Sequence, residues 1–178
     1  MVSHTERLLR DRDFSFVLCR SIESWSVEHP LFPVWQSVQP AIIDLAKKCL
    51  SYDRNGINLY WASDPVQDYR CQNLANLAQM FQHKNPPITN NLLGALEKVI
   101  TYYFSRRGWK LNVNGEIIIV LLDQVPPESE KIAELMLDTI AKHTKVDMIW
   151  VAGRSPTLVS QNLKATTLTY LAIAKSWV

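Results

Sequence analysis

The 178 residues carry 19 Lys and Arg against 17 Asp and Glu, with 47% hydrophobic residues, 20% charged residues and 5 glycines. That composition excludes collagen-like, disordered and solenoid chains, and the length is that of one globular domain able to bury its core without disulfides or structural metal. The formal net charge of +2 is spread along the chain, with one tight basic cluster at Arg106, Arg107 and Lys110, so no nucleic-acid partner is expected.

The start, Met1 to Arg7, is polar, and no stretch approaches the roughly 20 apolar residues of a membrane span. A cytoplasmic protein without a membrane partner is expected. Cys19, Cys49 and Cys71 show no C-x-x-C spacing and read as reduced, partly buried thiols, while His4, His29, His83 and His143 lack metal-ligand spacing.

The predicted elements begin with an apolar strand, Phe14 to Leu18, running into the polar loop Cys19-Arg20-Ser21-Ile22-Glu23-Ser24-Trp25-Ser26. Val34, Val38, Ile42, Leu45, Ala46 and Cys49 recur at helical spacing, and Pro40 inside that segment predicts a kink or a helix start near Gln39. A turn at Asp53 to Gly56 precedes a strand over Ile57 to Ser63 with alternating polarity, then a short strand around Asp68 to Arg70. Leu74, Leu77, Ala78 and Phe81 mark a helix ending before Lys84.

The loop Pro87 to Asn91 leads into a long helix through Leu92, Leu96, Val99, Ile100 and Phe104, with Thr89 or Asn90 as the expected N-cap. Gly108 and the cations before it read as that helix's C-terminus. Glu116 to Asp123 is the most apolar stretch, bounded by Gly115 and by Pro126 and Pro127, and reads as a parallel strand buried on both faces. Pro126-Pro127-Glu128 opens a helix carrying Ile132, Leu135, Met136, Thr139 and Ile140, and Met148 to Ala152 is a further strand. The tail is less regular, with a helix start at Ser155 to Val159 and a helical reading preferred for Leu168 to Ala174.

Strands alternating with helices imply right-handed βαβ units and an α/β fold, a three-layer α/β/α, Rossmann-like arrangement with a mostly parallel central sheet. Ligands of such sheets sit at the carboxyl ends of the strands, where Asp123 and the Ser21 loop fall.

The order of Arg12 to Leu18 with its serine loop, the Asn90-Asn91-Leu92 loop and Val120-Leu121-Leu122-Asp123 resembles the von Willebrand factor type A (VWA) family, in particular the stand-alone cytoplasmic domains of bacteria. The resemblance covers roughly Asp11 to Gly153. It makes residues 1–178 one VWA-like domain, with 1–11 a short extension and 154–178 a divergent segment. It implies a metal-ion-dependent adhesion site holding magnesium through an Asp-x-Ser-x-Ser loop, a Thr and an Asp. Ser21 and Asp123 match that pattern. Cys19 stands for the first Asp, Glu23 for the second Ser, Asn90 or the adjacent Thr89 for the Thr, and Gln124 for the Gly that follows the last Asp.

A thiol is a poor magnesium ligand, so the site reads as degenerate, with no cofactor expected beyond weak Mg²⁺. The resulting expectation is a non-enzymatic protein-interaction or scaffold module, able to form a homo-oligomer. Its partner would be held by Ser21, Glu23, Ser24, Trp25, Thr89, Asn90, Asn91, Asp123 and Gln124, with Trp25 as an aromatic anchor. Two alternatives stay open: an adhesion module still binding Mg²⁺ through Ser21, Glu23, Asn90 and Asp123, and a small hydrolase with Cys19 as nucleophile. Against the latter, neighbouring carboxylates raise a thiol's pKa.

Overall fold

A computed structural model describes residues 12–53, 55–71, 73–82, 89–109, 114–124, 126–142 and 146–152. The N-terminal extension and the segment after Ala152, including the helices expected there, lie outside the described residues. Five strands form one sheet: β1 (Arg12–Cys19), β2 (Ile57–Trp61), β3 (Gln67–Cys71), β4 (Gly115–Leu122) and β5 (Val146–Ala152), ordered β3-β2-β1-β4-β5. All neighbours are parallel except β2 and β3, which pair antiparallel as a hairpin. The fold is therefore α/β with a mostly parallel sheet, as the alternation of periods predicts.

The helices α1 (Phe32–Tyr52) and α2 (Leu74–Gln82) cover one face of the sheet, and α3 (Leu92–Trp109) and α4 (Ser129–Lys142) the other. Because side chains alternate along a strand, Phe14, Phe16 and Leu18 meet Ile42 and Ala46 of α1, while Val17 and Cys19 meet Leu96 and Val99 of α3. Strand β4 is buried from end to end, which is why its sequence is unbroken Ile, Val and Leu.

Four local expectations need correction. Helix α1 starts at Phe32, not near Gln39, and continues through Pro40. The acceptor that Pro40 leaves without a partner is the carbonyl of Gln36, and both residues are exposed, so water can take the missing donor's place. The N-cap of α3 is Asn91, whose Oδ1 accepts from the Gly94 amide at 2.8 Å, one residue beyond the expected Asn90. A Cβ on Gly94 would come within 2.6 Å of the Asn91 side chain, so this cap requires glycine at its third helical position. Gly108 lies inside α3, which runs to Trp109. Finally, β2 is buried at all five positions, including Asn58 and Tyr60, rather than half-exposed.

At the amino-terminal end of the sheet, Arg106 of α3 reaches the buried carboxylates of Asp13 and Glu116, the latter at 2.6 Å. Ser15 Oγ donates to Glu116 and Asn114 Nδ2 to Asp13. Burial dominates at Glu116 and pushes its pKa up to about 6, against the hydrogen bond from Ser15 and the charge of Arg106. This network fixes the far end of α3.

Candidate functional site at the carboxyl edge of the sheet

In a doubly wound sheet the crevice opens where the chain switches direction, between the carboxyl ends of two adjacent parallel strands. Here those strands are β1 and β4, paired through Cys19 and Leu122. The residues that follow them, Arg20-Ser21 and Asp123, meet directly.

Asp123 accepts from three protein donors, with three contacts converging on Oδ2 and one on Oδ1. The Ser21 amide lies 2.9 Å and 3.1 Å from its two carboxylate oxygens, Ser21 Oγ donates to Oδ2 at 2.9 Å, and Trp35 Nε1 donates to the same oxygen at 2.7 Å. Trp35 comes from the first turn of α1 and is buried. The sequence singled out Ser21 and Asp123, and the fold brings them together.

Arg20 is the residue that sequence reasoning missed. Its side chain leaves the strand opposite Cys19 and is buried, with Nε donating to Ser24 Oγ at 3.1 Å and Nη2 to the Ser24 carbonyl. The guanidinium carbon stacks 4.2 Å from the Trp25 ring centre and 5.6 Å from those of Phe32 and Trp35. Burial lowers its pKa from the ordinary arginine value, and the charge of Asp123 opposes that shift. An arginine directly after an apolar strand, followed by Trp25, Phe32 and Trp35, is the sequence signal that was available.

The remaining expected site residues divide by exposure. Ser24 is fully buried, donating to the Ser21 carbonyl at 2.8 Å, and closes the 3-10 turn Glu23–Trp25. Trp25 is half-buried against Trp61, ring centres 5.9 Å apart, and is a packing residue where an exposed anchor was expected. Asn90 Nδ2 donates to the Arg20 carbonyl at 3.0 Å, tying the third loop to the first, and Asn91 caps α3. Glu23, Thr89 and Gln124 are exposed. Two apolar residues of the first loop, Ile22 and Val27, are also exposed, Val27 at 74%.

The donor set does not fit magnesium. Mg²⁺ demands near-octahedral oxygen ligands, and the one carboxylate at the centre already accepts from three protein donors, with a guanidinium nearby. Asn90 Oδ1 is the one expected ligand atom that is buried without a partner. Among the described residues no group of three or more His, Cys, Asp or Glu side chains could hold a metal ion. Cys19 is buried, and desolvation, with Asp123 and Glu128 nearby, pushes its pKa up to about 12. All three cysteines are buried free thiols.

No helix among the described residues is long and apolar enough to cross a membrane. The chain matches no family model and no curated protein. Among solved structures it is similar to proximal thread matrix protein 1 from the mussel byssus, with a TM-score of 0.52 and 13% identity over 79% of this chain. The match spans 38% of the mussel protein's length, and at that identity the likeness is one of fold.

Proposed function

We propose that the chain is a non-catalytic, cytoplasmic protein-recognition module of VWA type, whose carboxyl-edge loops bind a partner without a metal ion. The observation that carries this reading is the set of hydrogen bonds that Asp123 accepts from Ser21 and Trp35. Protein donors and the Arg20 charge do what a cation would do for that carboxylate, so the loops stay assembled without one. The first loop exposes the apolar Ile22 and Val27, and the loops of this edge expose the polar Glu23, Thr89 and Gln124, the residue classes that interfaces combine. Buried, fully protonated Cys19 supplies no nucleophile to this edge, and buried free thiols accord with a reducing compartment.

The test is affinity capture from the protein's own cells with wild type and Val27→Asp, each in EDTA and in Mg²⁺. A partner kept in EDTA and lost by Val27→Asp supports the reading. Loss in EDTA would restore the metal-dependent alternative through Ser21, Glu23, Asn90 and Asp123, and indifference to Val27→Asp would remove the loops as the binding surface.

A further inference from the structure

Arg20 carries a charge that the described residues leave without a counterion in contact. Its side chain is 8% exposed, and among the described residues it forms no ion pair. Arginine is rarely buried to that degree without a carboxylate, because neutral hydrogen bonds do not offset the lost hydration of the charge. Asp123 is the acid whose field reaches it, but that carboxylate is bonded by Ser21 and Trp35. The groups that do touch Arg20 are neutral: Ser24 and the rings of Trp25, Phe32 and Trp35.

A guanidinium has five N–H donors. Ser24 takes one on Nε and one on Nη2, and the rest, on Nη1 and Nη2, have no acceptor among the described residues. The buried side-chain atoms of the described residues that lack a partner are Trp25 Nε1, Asp53 Oδ2, Asn90 Oδ1, Tyr103 Oη and Arg106 Nε. Nη1 of Arg20 makes no bond and is not one of these, so it is open at the surface. Trp25 Nε1 is one of them, in the ring stacked 4.2 Å from the guanidinium carbon. Of the two indoles against Arg20, that of Trp35 donates to Asp123 and that of Trp25 has no acceptor. The unmet groups of Arg20 and Trp25 are donors, and an unmet buried donor favours a ligand that accepts.

An ionised carboxylate only accepts, and it matches a guanidinium through parallel N–H···O bonds. The aromatic rings around Arg20 lower the local dielectric, which strengthens a charge-assisted bond. A phosphate dianion suits the site less well. From Arg20 to Leu31 the first loop holds no Lys and no other Arg, against Glu23 and Glu28, and the charge of Asp123 lies alongside. A second negative charge would meet their repulsion, and phosphate recognition gathers clustered arginines. Arg20, Trp25, Phe32 and Trp35 are not positions of the Asp-x-Ser-x-Ser pattern, so this site is separate from the metal position to which Ser21 and Asp123 would belong.

We propose that Arg20, framed by Trp25, Phe32 and Trp35, is the binding site for one carboxylate group of the protein partner. This rests on the metal-free reading of the Asp123 edge and names the chemistry by which its loops take hold.

The experiment is an NMR titration of the nitrogen-15-labelled chain, read at the Arg20 Nε–H and Trp25 Nε1–H resonances at constant ionic strength. The probes are N-acetylglutamate methylamide, whose acid is a side-chain carboxylate, N-acetylalanine, whose acid is a chain-terminal carboxylate, the uncharged N-acetylglutamine methylamide, and inorganic phosphate. Saturable shifts of both resonances are expected with a carboxylate, and the tighter of the two carboxylates names side chain or chain end as the source. The glutamine probe should give none, and phosphate should bind about tenfold more weakly. Arg20→Met should abolish the shift at Trp25, and Arg20→Lys, which keeps the charge without the fork, should weaken binding about tenfold. The proposal is overturned if neither carboxylate gives a saturable shift, or if the glutamine probe shifts the same resonances equally. It is overturned equally if phosphate binds as tightly as the carboxylates, or if the Trp25 shift survives Arg20→Met. The comparison of the glutamate and glutamine probes uses wild type alone, so it decides even where Arg20→Met does not fold. Capture sensitive to Val27→Asp without carboxylate binding keeps the recognition reading and removes this site; carboxylate binding with capture indifferent to Val27→Asp does the reverse.

Discussion

Replacing Asp123 by Ala removes the acceptor for the Ser21 amide and for Trp35 Nε1, both in residues almost wholly inside the protein. An unsatisfied buried donor costs about 1–3 kcal/mol, so the pair sets a range of about 2–6 kcal/mol. Asp123 is half-exposed and the lost carboxylate leaves a space that water can enter, while Ser21 Oγ can rotate to another acceptor. The lower part of the range, about 2–3 kcal/mol, is therefore expected, equivalent to about 4–12 °C in Tm for a chain of this size. Urea unfolding of wild type, Asp123→Ala, Trp35→Phe and the double variant would measure it. The coupling between the two positions should be about 1 kcal/mol or more, since each variant breaks the same indole–carboxylate bond. A destabilisation by Asp123→Ala of less than about 0.5 kcal/mol, or strict additivity with Trp35→Phe, would refute the claim that this carboxylate holds the loops together.

Glu116 has a folded pKa of about 6, raised above the ordinary value of 4.5, so its contribution to stability is fully present below about 4.5 and is lost as pH rises through about 6. The difference corresponds to about 2 kcal/mol, and the stability of wild type relative to Glu116→Gln should fall by that amount from well below the lower pKa to well above the upper one; a flat difference refutes it. Cys19 and Cys49, each pushed up to about 12 mainly by burial, should react with a disulfide reagent at pH 8 only as fast as the protein unfolds. Rapid labelling of either thiol in the folded state would contradict the packing described. Gly94→Ala should cost about 1 kcal/mol by displacing the Asn91 cap, and Asn91→Ala should cost about the same, with little further loss in the double variant.

The parts of the fold legible in the sequence were those in which one residue type repeats for one physical reason. Gly115 to Leu122 reads as a buried parallel strand because both faces must be apolar, and Asp123 marks its end because the run stops there. The meeting of Ser21 with Asp123 follows from two strand ends falling on the same edge, although 102 residues separate them. Trp35 was not legible as the third donor, because its indole reaches Asp123 through the placement of α1, which no local pattern encodes. Nor was the role of Arg106. Its spacing suits a helix C-terminus, and its partners Asp13 and Glu116 lie on strands whose register is a tertiary fact. Asn90 and Asn91 are chemically equivalent as caps, and the choice falls to Asn91 because its own backbone amide bonds the Ala62 carbonyl and sets where α3 begins.

Arg20 decides between the readings of the Asp123 edge. A cation entering beside Asp123 would compete with the Ser21 amide and the Trp35 indole for the carboxylate and face the repulsion of a guanidinium held in place by Ser24 and three aromatic rings. That guanidinium cannot be neutralised at any accessible pH, because even with its pKa lowered arginine keeps its proton. Metal binding would therefore require the first loop to rearrange, breaking the contacts of Arg20 with Ser24 and Trp25, and the ion's affinity would be reduced by the free energy of that rearrangement. Substituting Arg20 by Met keeps much of the stem that packs on the rings and removes the charge. If the guanidinium is what bars a cation, Mg²⁺ should raise the Tm of Arg20→Met more than that of wild type; equal, null responses would place the bar in the hydrogen bonds that Asp123 already accepts.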